Sequence, residues 1–198
     1  MYRGVYQSAV TLAMILAFYA GDVWLIHRFD PARAQGSSRS WTWTLFSALM
    51  ALVVVIQPIL LPALGFYTDA AWGRLAQGVG LALIAVGLAL HWWARWHLKQ
   101  FYGERVEYQQ GQVLIQDGPY AYVRHPIYTS FFLCIVGLLL VNPALTTLAV
   151  TLYFFWDFPR TARKEEELLI EKLAGYEQYA ARTPRYVPDP RRWIGSRR

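Results

Sequence analysis

Apolar residues in this chain gather in long unbroken runs rather than in the alternating or amphipathic stripes of a soluble domain. No charged residue occurs from Val5 to Gly21, from Trp41 to Leu64, or from Leu75 to Ala94. A helix needs about 20 mostly apolar residues to cross a hydrocarbon core roughly 30 Å thick. The second and third runs meet that length outright, and the first meets it if Asp22 sits at the interface beside Trp24. Three membrane-spanning helices are therefore predicted. A fourth apolar segment, Ile127 to Phe158, is interrupted by Asn142-Pro143. Proline disfavours helix at the preceding residue and cannot donate inside one. Each half would hold about 15 residues, roughly 22 Å of helix. Two short or tilted helices turning at Asn142-Pro143 fit better than one long kinked helix.

The polar segments between the runs set an orientation. The first, His27 to Ser40, carries Arg28, Arg33 and Arg39 among turn formers, and the second, Gly65 to Arg74, is short. The third, Arg95 to Arg124, is mixed in charge, and the tail beyond Arg160 is strongly charged. Positive residues favour the cytoplasmic side. The first and third segments and the tail are expected there, with the N-terminus outside. The hairpin reading agrees, since it returns the tail to the side it left. Trp24, Trp41, Trp43, Trp72, Trp92, Trp93 and Trp96 fall near the ends of the runs, where amphipathic rings settle at headgroup level. Arg3 before the first run invites comparison with a secretory leader. Gly21-Asp22-Val23-Trp24 offers no small-residue cleavage pattern, so the run is read as a retained span.

Composition narrows the classes further. Hydrophobic residues make up 56% of the 198 and charged residues 16%, against roughly 25% charged in soluble domains. The single cysteine, Cys134, excludes an internal disulfide and a multi-cysteine zinc site, and nothing shows metal-ligand spacing. The net charge of +6 flanks membrane runs and crowds the tail, which anionic headgroups explain without nucleic acid. Gly78, Gly80 and Gly87 fail a dinucleotide fingerprint at Leu83 and suit close helix packing. His91 and His97 flank tryptophans at a span end and are expected to be interfacial.

Two polar clusters could carry chemistry. Gly118-Pro119-Tyr120-Ala121-Tyr122-Val123-Arg124-His125-Pro126-Ile127-Tyr128 precedes the hairpin. Pro126 suits the first helical position, and the free N–H groups after it favour a carboxylate or phosphate. Arg124 and His125 add cationic or donor capacity, and the tyrosines offer faces for a base or a sulfonium. Arg160-Thr161-Ala162-Arg163-Lys164-Glu165-Glu166-Glu167 follows the hairpin. Alone it reads as a solvated helix; the hairpin returns it to the face holding Arg124 and His125. A carboxylate there could hold a cofactor's ammonium or ribose, and an arginine could hold an anionic substrate.

The first of these strings resembles the motif of the isoprenylcysteine carboxyl methyltransferase and phospholipid methyltransferase superfamily. Glu165-Glu166, Leu169, Gly175-Tyr176, Tyr179 and Pro188 are similar to that superfamily's second signature. The resemblance spans roughly Val113 to Pro188. It implies S-adenosylmethionine as cofactor, bound without a Rossmann domain between the last membrane helices and the cytoplasmic tail. By resemblance, Gln112, Val113, Leu114, Ile115, Gly118 and Tyr120 would line the cofactor cleft. Arg124, His125, Pro126, Ile127, Tyr128, Glu165 and Glu166 would complete it. Three positions depart from the pattern. Gln112 replaces a histidine, Leu173-Ala174-Gly175 replaces Phe-Gly, and Thr161 stands where the isoprenylcysteine enzymes place a substrate arginine. Arg160 and Arg163 flank Thr161 and are the expected substitutes, with His125 or a glutamate as proton acceptor for an amine.

The whole reading is a single all-α domain, a polytopic membrane helix bundle of three full spans plus a C-terminal helical hairpin, with a cytoplasmic cofactor pocket. Residues 1–96 form the three-span region and 97–198 the cofactor-binding region. The expected activity is S-adenosylmethionine-dependent methyl transfer to a lipid-like or apolar small molecule arriving from the bilayer. Methyl transfer needs mainly alignment of the nucleophile and exclusion of water. An NADPH-dependent reductase of the sterol-reductase type and a non-enzymatic membrane scaffold are the competing readings.

Overall fold

The computed structural model describes residues 1–29, 52–102 and 111–189. Helix α1 spans Val5–Phe29, α2 Ala71–Leu98, α3 Pro126–Val141, α4 Leu145–Lys172 and α5 Tyr176–Arg182. Residues 52–60 are helical as well, and one-turn 3₁₀ segments occupy Pro62–Leu64, Lys99–Phe101 and Gly118–Ala121. Among the described residues there is no strand, only an isolated bridge between Gly65 and Ala144.

The long helices are inside out by the standard of a soluble protein. Helix α1 buries Gln7, Ser8 and Thr11 while Leu12, Leu16, Val23 and Trp24 stay exposed. Water would reverse that arrangement; lipid favours it, because apolar side chains gain nothing by leaving hydrocarbon and polar ones must find partners. Two helical stretches, Val5–Phe29 and Ala71–Phe101, are long and apolar enough to cross a bilayer. The second expected span is described only from residue 52 onward, so its first part lies outside the described residues. These two helices suit the integral membrane protein expected from the sequence.

Helices α2 and α3 approach through glycine. A Cβ added at Gly80 would lie 2.5 Å from the Gly137 carbonyl oxygen, and one at Gly87 2.6 Å from Cys134 Sγ. Side chains there would push the helices apart. Gly78, grouped with them by sequence, meets nothing within 4 Å. Ile84, Leu88, Cys134 and Val141 form the core beside this seam, with Phe18 and Trp92 packed against it.

The hairpin turns where Asn142-Pro143 predicts. Asn142 caps α3 and its Nδ2 donates to Gln57 Oε1 at 3.0 Å and Thr147 Oγ1 at 3.2 Å. Its second arm is longer than expected. Helix α4 does not stop at Phe158 but runs through Pro159 to Lys172, carrying the charged cluster on the same rod. Pro159 removes one backbone donor, and the residues beyond it are good helix formers that keep the turn periodicity.

Candidate functional site

Both arms of the hairpin meet at a cavity of about 590 Å³, lined by α1, α2, α3, α4 and residues 112–115. That volume falls within the range of small-molecule sites. Which part of α4 faces it follows from helical period. Asp157, Thr161, Glu165 and Leu169 all line the cavity, and a spacing of four residues keeps them on one face. Arg160 and Arg163 lie off that stripe and are exposed. Arg160 stacks over the Trp156 ring at 3.8 Å, and Arg163 Nε donates to the Pro159 carbonyl. The arginines expected to replace the missing one therefore do not reach the cavity; Thr161 does.

The other expected residues divide in the same way. Gln112, Val113, Leu114, Ile115, Tyr120, Arg124, His125, Pro126, Ile127, Tyr128 and Glu165 line the cavity. Gly118 does not: with φ of +57° it turns the chain against the His97 ring, leaving no room for a Cβ. Glu166 is buried behind the wall. Its carboxylate accepts from His125 Nε2 at 2.8 Å and from Arg185 Nε at 3.1 Å, and Arg124 Nε lies 3.3 Å away. The adjacent glutamates thus have separate tasks.

Their protonation differs accordingly. Burial pushes Glu166 up, but the His125 and Arg185 hydrogen bonds and the neighbouring charges outweigh it and hold its pKa at about 2. Glu165 moves the other way. Desolvation and the Glu166 charge raise it, against the lowering pull of His125 and a hydrogen bond with Tyr128. Its side chain keeps 37% exposure and lines the cavity, so entering water or ligand relieves that desolvation. Two carboxylates pushed apart in this way commonly mark a site where one is structural and the other exchanges partners.

A strap that no periodicity announces holds the site together. After α5, the Pro184 and Arg185 carbonyls accept from the Arg124 and His125 N–H groups at 2.9 and 3.0 Å. Thr129 Oγ1 donates to the Tyr186 carbonyl at 2.8 Å. The buried Tyr179 hydroxyl donates to the Tyr120 carbonyl at 2.7 Å, and burial pushes both phenols upward. Arg185 reaches Glu166 only because this strap places it there. Its one sequence signal was position, a cation between Pro184 and Tyr186 in a tail already rich in them.

On the α1 side, Asp22 does not sit at the interface. Its Oδ1 accepts from His91 Nε2 at 3.0 Å and Arg95 Nε at 3.1 Å, and it lines the cavity. His91 is 1% exposed, not interfacial, and Ser130 approaches its other nitrogen at 3.5 Å. The Arg95 guanidinium lies over the Tyr102 ring at 3.6 Å. Among the described residues no cluster could hold a metal ion.

Residues 80–171 match the model of the isoprenylcysteine carboxyl methyltransferase (ICMT) family. The chain is 37% identical over 76 residues to the nickel-cobalt-cadmium resistance protein NccN of Alcaligenes xylosoxydans xylosoxydans, covering 38% of this chain and 36% of that protein. It is 36% identical over 78 residues to protein-S-isoprenylcysteine O-methyltransferase of Schizosaccharomyces pombe, covering 38% and 33%. With the Saccharomyces cerevisiae enzyme of that name it shares 23% identity over 172 residues, 82% of this chain and 71% of the other. The first two alignments thus span only about a third of the relatives' length. The solved structure of the eukaryotic intramembrane Ras methyltransferase ICMT has the same fold, with a TM-score of 0.67, 23% identity, and coverage of 90% of this chain and 64% of that one.

Proposed function

We propose that this chain, whose residues 80–171 match the isoprenylcysteine carboxyl methyltransferase family model, belongs to that family and transfers a methyl group from S-adenosylmethionine to a lipid-like acceptor at the cytoplasmic membrane face. The observation that carries this reading is one cavity with two characters. At one end lie Gln112, Tyr120, Arg124, His125 and Glu165; at the other lie Met14, Phe18, Ile135, Leu138 and Phe154.

The polar end fits the cofactor's chemistry. Its ammonium and ribose hydroxyls need acceptors, which Glu165 and the backbone carbonyls of residues 112–115 offer. Its carboxylate needs a donor, for which the N–H groups of Ile127 and Tyr128 in the first turn of α3 are suited. Tyr120 and Tyr128 present aromatic faces to a base or a sulfonium. When bound, the cofactor supplies an activated methyl group, so the protein's tasks are alignment and exclusion of water. The strap and the buried Glu166 knot hold that alignment, and the apolar end admits an acceptor directly from the bilayer.

The orientation follows from the basic segments of the sequence, and the bundle puts the N-terminus and the Glu166 knot at opposite ends. Met1 and Arg3 bond Thr68 and Asp69 at the end holding the Asn142 turn, opposite the Glu166 knot. A cytoplasmic tail then goes with an outside N-terminus. The reading is tested by incubating purified protein with methyl-labelled cofactor and a membrane lipid extract. Label should enter an organic-extractable product; label that stays wholly in the cofactor would contradict the reading.

A further inference from the structure

The charge of the cavity wall is more specific than its apolarity, and it bears on which acceptor the proposed methyltransferase takes. Its carboxylate, guanidinium and imidazole lining residues are Asp22, Arg124, His125, Asp157 and Glu165. Both cationic candidates already serve Glu166, His125 at 2.8 Å and Arg124 at 3.3 Å, with Arg124 Nη1 also donating to the Ala180 carbonyl at 3.2 Å. Arg95 lies behind Asp22 and is bonded to it, and Arg160 and Arg163 are turned outward. The acidic side keeps one unpaired member: Asp22 is held by His91 and Arg95 at 3.0 and 3.1 Å, and Glu165 lies 3.8 Å from His125 Nδ1. Asp157 lies on the α4 stripe, one turn before Thr161 and two before Glu165, and among the described residues no salt bridge engages it.

Aromatic rings accompany these carboxylates. Phe18 stands one turn before Asp22 on α1, and Phe154 and Phe158 neighbour Asp157 on α4. Phe131 of α3 joins the two sides, with ring centroids 5.6 Å from Phe18 and 5.4 Å from Phe158. Phe154 and Phe158 are 4.8 Å apart. Carboxylates set among aromatic faces attract an ammonium twice, by charge and by the ring quadrupole. They repel a carboxylate, which would be desolvated there without a guanidinium to pair with.

We propose that the acceptor this cavity takes is an apolar amine, recognised as its ammonium by Asp157 with the phenyl rings of Phe131, Phe154 and Phe158, and not a carboxylate. The ammonium first gives a proton to Asp157. The nitrogen lone pair then forms the N–C bond as the S–C bond breaks and its electrons stay on sulfur. Sulfonium and neutral amine become thioether and methylated ammonium, so charge and protons balance.

The inference rests on the methyltransferase reading, and one preparation separates the two. The full chain in phosphatidylcholine nanodiscs is titrated with S-adenosylhomocysteine by calorimetry, then given methyl-labelled cofactor with tetradecylamine, tetradecanoic acid or tetradecanethiol in separate arms. The amine should be labelled at least tenfold faster than the acid or the thiol, in a product stable to base. Asp157→Asn should lower kcat/KM for the amine at least tenfold, through KM, with affinity for S-adenosylhomocysteine unchanged. Faster labelling of the acid, seen as base-released methanol, or of the thiol would overturn the amine assignment and leave the methyltransferase standing. Labelling in no arm while S-adenosylhomocysteine binds would overturn it too. Absence of that binding would remove both.

Discussion

The two ends of the helix bundle solve the same problem, polar groups inside an apolar scaffold, with different chemistry. At the Asn142 end the buried groups are neutral. Gln7 and Gln77 Nε2 both donate to the Val141 carbonyl at 3.1 Å, Asn142 donates to Gln57, and Gln77 also bonds both backbone groups of Tyr2. At the other end the groups are charged: Glu166 with His125, Arg124 and Arg185, and Asp22 with His91 and Arg95. An amide network gives register without titrating, so it acts as a latch. A charged network is costlier to bury and strongly destabilised when one member is lost, and here it stands beside the cavity. The neutral end holds the hairpin's turn; the charged end holds its two tips together over the site.

Substitutions should separate those tasks, in order of effect. The largest is Glu165→Ala, which removes the cavity's acceptor without touching the Glu166 knot. Methyl transfer should fall at least a hundredfold in a labelled-cofactor assay while the thermal midpoint stays near that of the parent. Next is Glu166→Gln. A carboxylate whose folded pKa is depressed from 4.5 to about 2 contributes about 3 kcal/mol of stability. That contribution is complete above pH 4.5 and lost as pH falls through about 2. The variant should therefore melt well below the parent at pH 7, and the gap should close as the buffer is acidified from pH 5 to 2.

The latch should respond less, and without pH dependence. Asn142→Ala deletes two buried hydrogen bonds and is expected to cost about 2 kcal/mol, read as a lowered melting temperature equal at pH 5 and pH 8. Smallest are Arg160→Ala and Arg163→Ala. Both residues are exposed, and surface changes usually fall within about 0.5 kcal/mol. Activity should stay within about twofold of the parent; a tenfold loss from either would restore the substrate role that the α4 stripe denies them.

Much of this was legible from local pattern. Asn142-Pro143 marked the turn, His125-Pro126 the start of α3, and the charge-free runs the long helices. Tyr120, the run from Arg124 to Tyr128, and Glu165 all reach the cavity, because a short helix start and one helix face are local properties. Three features were not legible, each for a physical reason. Helix α4 outran its apolar stretch because solvent-compatible residues with good propensity continue a helix as readily as apolar ones. That continuation decides which of Arg160, Thr161 and Arg163 faces inward. Residues 183–187 bond through backbone atoms, so side-chain periodicity says nothing of them or of Arg185 on Glu166. Asp22 pairs with His91 and Arg95 across the bundle, and a charge at the end of an apolar run reads equally well as an interfacial residue until its partners are seen.

The central claim is that the hairpin makes a cofactor site by setting Glu165 beside His125 and Tyr128. Calorimetric titration of S-adenosylhomocysteine into the purified parent and into Glu165→Gln tests it most directly. The parent should bind one equivalent with micromolar affinity and the variant at least thirtyfold more weakly. No heat of binding in the parent, or equal affinity in the two, would contradict it.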